Sequence, residues 1–277
     1  MYTKKTDWMN DYLANSNYYV SDHHSYGNKL ALTSEAKVSL RFIGNIRAGY
    51  IFLLVINAQR SLWRGCVTPE LREHLNQLNM ITGSNIPVLL FSDDCPDQFG
   101  VIESSGKAHK LDTNGLQQFF GEFNQEYLQN LGDAKPRNKT YNDYFQTWTI
   151  NNLSRYLTVN DIDAFSISPL KNRLNLIELK RPNESCAKWL PYTDDVGNYK
   201  AGNWMSEYLQ NTHFKTIAYN ADSVEPIVFL EISDLQQSQL SGKLYRGSVQ
   251  AIDLESLTCL YPMKPFVSNR VRRQYYR

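Results

Sequence analysis

The apolar run IFLLVI (51–56), the stretch TPELREHLNQL (68–78) and a second apolar run IPVLLF (86–91) follow in direct succession, and this order restricts the fold more than any other feature of the chain. Uncharged runs of this length suit buried strands, and the segment between them reads as a helix with Thr68 as its cap and Pro69 in its first turn. Strand, helix, strand is a unit of α/β architecture. A further helix is expected over 114–131, where apolar residues at 116, 119, 120, 123, 127 and 128 form one stripe. With 277 residues, 42% hydrophobic and 21% charged, the chain can bury a core without staples, and that balance excludes a disordered or collagen-like polymer.

A polar, basic stretch, GDAKPRNKT (132–140), separates this part from a second with similar grammar, so two domains are expected, 1–132 and 133–277. In the second, 140–157 reads as an aromatic-faced helix, 161–167 (DIDAFSI) as a strand, 168–173 (SPLKNR) as a turn and 174–181 (LNLIELKR) as the partner strand. A helix over 199–214, a buried strand over 226–232 (PIVFLEI) and a strand within 242–254 complete the reading. The fold class is α/β, a mixed central sheet flanked by helices.

The hairpin carries the chemistry. Side chains two apart on a strand share a face, so Asp161 is expected beside Asp163 on the first strand and Glu178 beside Lys180 on the second. Ordinary antiparallel pairing brings the two polar faces together. A carboxylate in a strand as apolar as LNLIELKRP is costly unless a counter-charge meets it, and a divalent cation would do so. Hard carboxylate oxygens suit Mg²⁺, with Mn²⁺ as a substitute, and the ammonium can orient or activate an attacking water. Such a cluster is sufficient for phosphodiester hydrolysis.

Asp163, a gap, then Glu178-Leu179-Lys180 at the end of an apolar strand resembles the PD-(D/E)XK nuclease superfamily; IDAF before the turn and IELKRP after it carry the resemblance. The resemblance covers roughly residues 140–235 and implies a restriction-endonuclease-like fold. It also implies Mg²⁺-dependent cutting of nucleic acid, with DNA the expected substrate, and a metal held by Asp163 and Glu178 with Lys180 beside them. Many members carry a further acidic residue on the helix before the hairpin; here that helix offers only Asp143, with Gln146 nearby. Asp161 is either that auxiliary ligand or a solvated residue at the start of a strand.

Two other readings stand beside this one. The cluster can be an ion pair on a half-exposed sheet with no metal, or the domain can be a nuclease fold that binds nucleic acid or assembles with a partner but no longer cuts. The first half offers a possible degenerate copy: IFLLVINAQR set against LNLIELKRP places Asn57 at Glu178, Gln59 at Lys180 and Arg60 at Arg181. Amides cannot supply anionic ligands, so a copy would serve support or recognition.

GVIESSGK (100–107) fails as a phosphate loop, having five residues between its glycines and Ala108 after the lysine. The histidines lack zincin spacing, and there is no Gly-x-Ser-x-Gly elbow. Asp93, Asp94 and Asp97 read as a solvated turn, and Asp194, Asp195 and Tyr199 as either a groove border or an ordinary loop. Net charge is +1, but no acidic residue follows Glu255, and Arg270, Arg272 and Arg273 near the end, with Arg181 in the hairpin, are the candidate nucleic-acid contacts. Four scattered cysteines without a C-x-x-C pair argue against zinc knuckles and disulfide frameworks. The start of the sequence lacks a signal peptide's apolar core, and the longest apolar stretch, 50–56, is too short to span a bilayer. The expectation is a cytoplasmic protein with no membrane partner; a homodimer or a partner protein is left open.

Overall fold

A computed structural model describes residues 9–11, 13–14, 18–20, 36–129, 131, 144–182, 189, 191–192 and 195–219, and the backbone of 228–232 and 249–252. In chain order the elements are β1 (Tyr19–Val20), β2 (Lys37–Asn45), β3 (Gly49–Asn57), α1 (Pro69–Thr82), β4 (Val88–Phe91), β5 (Phe99–Ile102), β6 (Ala108–Leu111), α2 (Thr113–Phe123), α3 (Tyr144–Asn152), β7 (Thr158–Asp161), β8 (Ala164–Ser168), β9 (Arg173–Lys180), α4 (Val196–Tyr208), β10 (Thr212–Ala218), β11 (Val228–Ile232) and β12 (Val249–Ile252). They form two mixed six-stranded sheets flanked by helices. No described helix is long and apolar enough to cross a membrane.

Both sheets have the same construction. The first runs β6-β5-β4-β3-β2-β7 and the second β12-β11-β10-β9-β8-β1. In each, one central pair is parallel, β3 with β4 and β9 with β10, and every other pair is antiparallel. A helix makes each parallel crossover, as parallel pairing requires. The outer strand beside each hairpin is exchanged: β7 directly precedes β8 yet pairs with β2, and β1 precedes β2 yet pairs with β8.

The central core lies between the sheets. It takes Leu40 and Phe42 from β2, Leu54 and Ile56 from β3, Leu71 and Leu78 from α1, Leu174 and Leu176 from β9, Tyr199 and Met205 from α4, and Phe214 from β10. The far face of the first sheet packs on α2 and α3 through Leu116, Phe120, Phe145 and Trp148. The far face of the second, with Val20, Ala164, Ile177 and Ile217, packs against Met9 and Leu13.

Local signals account for α1: Thr68 Oγ1 accepts from Leu71 N at 3.1 Å, Pro69 opens the helix, and Gly83 closes it at φ 64°. Other segments differ from the sequence expectation. The helix expected to 131 stops at Phe123, where Asn124 turns extended at φ −164° and its side chain caps a short 3₁₀ turn, Gln125–Leu128. The strand expected over 161–167 is two strands in different sheets, broken at Ile162 and Asp163. The helix expected over 199–214 starts earlier, at Val196, and ends at Tyr208; its supposed tail is β10, a parallel neighbour of β9. Residues 212–216 alternate in burial, with exposed His213 between buried Thr212 and Phe214, which is a strand period, and 216–218 are all buried. GVIESSGK becomes the tight β5–β6 hairpin, closed by Glu103 N to Lys107 O at 2.9 Å, with no helix to cradle a phosphate.

His74 on α1 is only 6% exposed, lies against the rings of Tyr19 and Phe165 with centroids 4.4 and 5.9 Å away, and has no partner for Nε2 among the described residues. Burial lowers its pKa to about 4 from the ordinary 6.5. The folded state therefore holds it neutral while the unfolded chain takes up a proton below pH 6.5, so the contribution of His74 to stability is expected to fall from pH 6.5 to 4, by up to about 3 kcal/mol. Chemical denaturation across this range should show it as a change in the stability difference between the native chain and His74→Leu, in favour of the variant as pH falls.

Candidate active site

The break in β7–β8 builds the site. Ile162 is buried, its N–H bonded to Leu40 O at 2.9 Å, and it carries the chain from the first sheet into the second. The β8–β9 ladder ends at Ala164 opposite Ile177, so a continued strand would have put Ile162 opposite Leu179. Instead Asp163 fills that place with its side chain: Oδ2 accepts from Leu179 N at 2.6 Å. The carboxylate is thereby fixed at the end of the hairpin, beside Glu178 and Lys180.

Glu178 and Lys180 stand on the face of β9 that carries Leu174 and Leu176, beneath α4. Lys180 Nζ lies 2.9 Å from Glu178 Oε1 and 3.1 Å from Asp195 Oδ2, and 5.8 Å from the centroid of the Tyr199 ring. Asp195 immediately precedes α4, and Tyr199 lies one turn into it. The helix comes this close because Gly202 faces β10: a β-carbon there would overlap the Phe214 ring. Ser206 adds a tie, accepting from Phe214 N at 2.8 Å.

Two carboxylates thus pair with one ammonium, whose charge also acts on Asp163, and side-chain exposures are 7% for Glu178, 17% for Lys180 and 29% for Asp195. Burial and then the neighbouring Glu178 charge raise the Asp163 pKa well above the ordinary carboxylate range. Burial also raises Glu178, although Lys180 pulls it the other way. For Lys180, burial works toward a lower value, but Glu178 and Asp195 outweigh it and the pKa is raised.

These observations bear on a cation. Among the described residues no three His, Cys, Asp or Glu side chains form a ready-made cage. Two carboxylates that resist ionisation side by side still suit Mg²⁺, which takes one or two protein carboxylates and fills its other positions with water and phosphate oxygens.

Asp161 does not share a strand face with Asp163. It is the last residue of β7, paired with β2, and its Oδ1 lies 2.7 Å from Nε of Arg41, which is 3% exposed and sits over the Phe145 ring. The change of sheet at Ile162 puts the two aspartates on strands of different sheets, although the Asp161 charge still acts on Asp163. Arg181 follows β9 as an exposed residue. Asp143, Asp194, Arg270, Arg272 and Arg273 lie outside the described residues. Asp94 belongs to a turn network, accepting from Arg60 N at 3.1 Å and from the Ser92 hydroxyl.

The first sheet has no second acidic row. Even-numbered residues of β3 bond toward β4, as in Leu54 N to Pro87 O and Ala58 N to Phe91 O, and even-numbered residues of β9 bond toward β10, as in Leu174 N to Asn211 O. Even residues of both strands also face the central core. Matching the sheets therefore sets Glu178 and Lys180 against the row Phe52, Leu54, Ile56 and Ala58. The alignment of Asn57 with Glu178 is one residue out, which turns every side chain to the opposite face.

No family model, no curated protein and no solved structure matches this chain.

Proposed function

We propose that the chain is a metal-dependent nuclease, a DNA endonuclease with a restriction-endonuclease-like second half, acting through Asp163, Glu178 and Lys180. The observation that carries this reading is that Asp163 and Glu178 are desolvated together while, among the described residues, the Lys180 ammonium beside them is shared between Glu178 and Asp195. Uncompensated buried ions cost several kcal/mol each, and a cation held by Asp163 and Glu178 offsets that cost. Mg²⁺, or Mn²⁺ in its place, would offset charge on a phosphodiester and ease the ionisation of water. Lys180, whose pKa is raised, stays an ammonium at neutral pH. Its part is accordingly to orient a water or a phosphate oxygen, not to take up a proton. The water oxygen forms a bond to phosphorus, the bond from phosphorus to one sugar oxygen breaks, that oxygen gains a proton, and the water loses one. The matching strand orders support reading the first half as a degenerate copy that serves support or recognition.

A second reading, a nuclease fold that binds nucleic acid or a partner without cutting, is favoured by the engagement of Lys180 with two carboxylates at once. Incubation of the protein with supercoiled plasmid and with single-stranded DNA, in Mg²⁺, Mn²⁺ or chelator, separates the two. Cutting is expected with either metal and not in chelator. Binding without metal-stimulated cutting would select the second reading.

A further inference from the structure

The site has a wall that the nuclease reading does not use. Thr216 of β10 is the register partner of Glu178 in the parallel ladder, and such partners stand on the same face about 4.8 Å apart. Thr216 is 1% exposed, and its Oγ1 has no hydrogen-bond partner among the described residues. Tyr199 of α4 is 0% exposed, and its hydroxyl is likewise without a partner among the described residues. The charges of Glu178 and Asp195 both act on that phenol, which places it near the same carboxylates.

A buried hydroxyl without a partner destabilises a fold unless something polar meets it. Packing alone does not require one here: valine has the same branched shape, suits a strand equally well and carries no such penalty. A buried water needs two to four polar partners, and the Thr216 hydroxyl, on the register partner of Glu178, the Tyr199 hydroxyl, on which the Glu178 charge acts, and the Glu178 carboxylate can supply three.

We infer that Thr216 is a positioning residue of this site, whose hydroxyl, with that of Tyr199, holds a water molecule against Glu178 and Lys180 for attack on phosphorus. The inference rests on the nuclease reading and adds a residue to it. Hydrolysis consumes that water: its oxygen bonds to phosphorus, the bond to the leaving sugar oxygen breaks, and one proton is released while the leaving oxygen gains another.

The test compares the full-length native chain with Thr216→Val, Thr216→Ser and Asp163→Asn by plasmid cleavage, thermal melting without metal and calorimetric Mn²⁺ binding. Thr216→Val is expected to melt at or above the native temperature and to bind Mn²⁺ within twofold of native, yet to lose tenfold or more in kcat at unchanged KM. Thr216→Ser, which keeps the hydroxyl, should recover most of that loss. Native kcat in Thr216→Val overturns the inference. So does a loss that Thr216→Ser does not recover, or one matched by weaker Mn²⁺ binding or a lower melting temperature, which would mark a packing role. If native protein cuts and Asp163→Asn does not, these outcomes bear on Thr216 alone; if native protein does not cut, the inference falls together with the nuclease reading.

Discussion

Asp163→Asn is expected to lower cleavage about a thousandfold while the protein melts at or above the native temperature. Asparagine Oδ1 can still accept from Leu179 N, so the end of the hairpin stays closed, and the repulsion between Asp163 and Glu178 is gone. The sign of the pH dependence gives a second measurement that does not depend on turnover. Both carboxylates have pKa values above their unfolded ones. The folded chain therefore binds more protons than the unfolded chain, and this stabilisation is present in acid and lost as pH rises through the folded values. A cation prefers the ionised pair, so Mg²⁺ should raise the melting temperature more at pH 8 than at pH 5, and this difference should vanish in Asp163→Asn. An equal metal effect in both proteins would remove Asp163 from the ligand set. Lys180→Ala is a poorer probe, because it strips the ammonium from Glu178 and Asp195. Leaving such buried charges unpaired costs about 3–5 kcal/mol, so loss of activity there mixes chemistry with folding.

Removal of residues 1–20 is expected to abolish both cooperative melting and cleavage, although every proposed site residue remains. Met9, Leu13 and Val20 are 0%, 2% and 1% exposed, and they form one buried cluster with Ala164, Ile177 and Ile217 on the far face of the second sheet. At about 1.5–3 kcal/mol for each buried apolar side chain, the loss is on the order of 5–9 kcal/mol, comparable to the whole stability of a typical domain. The deletion also takes β1 from the edge of β8, the strand that leads directly out of Asp163. Far-UV circular dichroism of residues 21–277 checks this: a native-like melt would show that the exchanged edge strand contributes little. A piece cut at 132 should fare no better, because each half would lose an edge strand held by the other.

The legible part of the site was its spacing. Glu178 and Lys180 are two apart in an apolar strand, and that parity alone set them on one face. Asp163 was also found from spacing, but the means that holds it was not legible: the strand pattern of DIDAFSI runs smoothly through the point where the chain leaves one sheet for the other. Asp161 was grouped with it for the same reason. Thr216 was missed because residues 212–218 follow a helix with no proline to mark its end, and their alternation is short. Asp195 and Tyr199 read equally as a groove border or an ordinary loop, and only the docking of α4 through Gly202 brought them beside Lys180.

By itself the sequence determined the α/β class, the well-capped helix α1, the hairpin of β8 and β9, and the pairing of an acid with a lysine on one strand face. These follow from interactions within a few residues: backbone period, capping and turn geometry. Tertiary structure alone decided which sheet each edge strand joins, which aspartate stays beside Glu178, and which side chains from α4 and β10 complete the wall. Strand pairing joins residues far apart in the chain and is settled by the burial of whole faces, and local pattern carries no record of that choice.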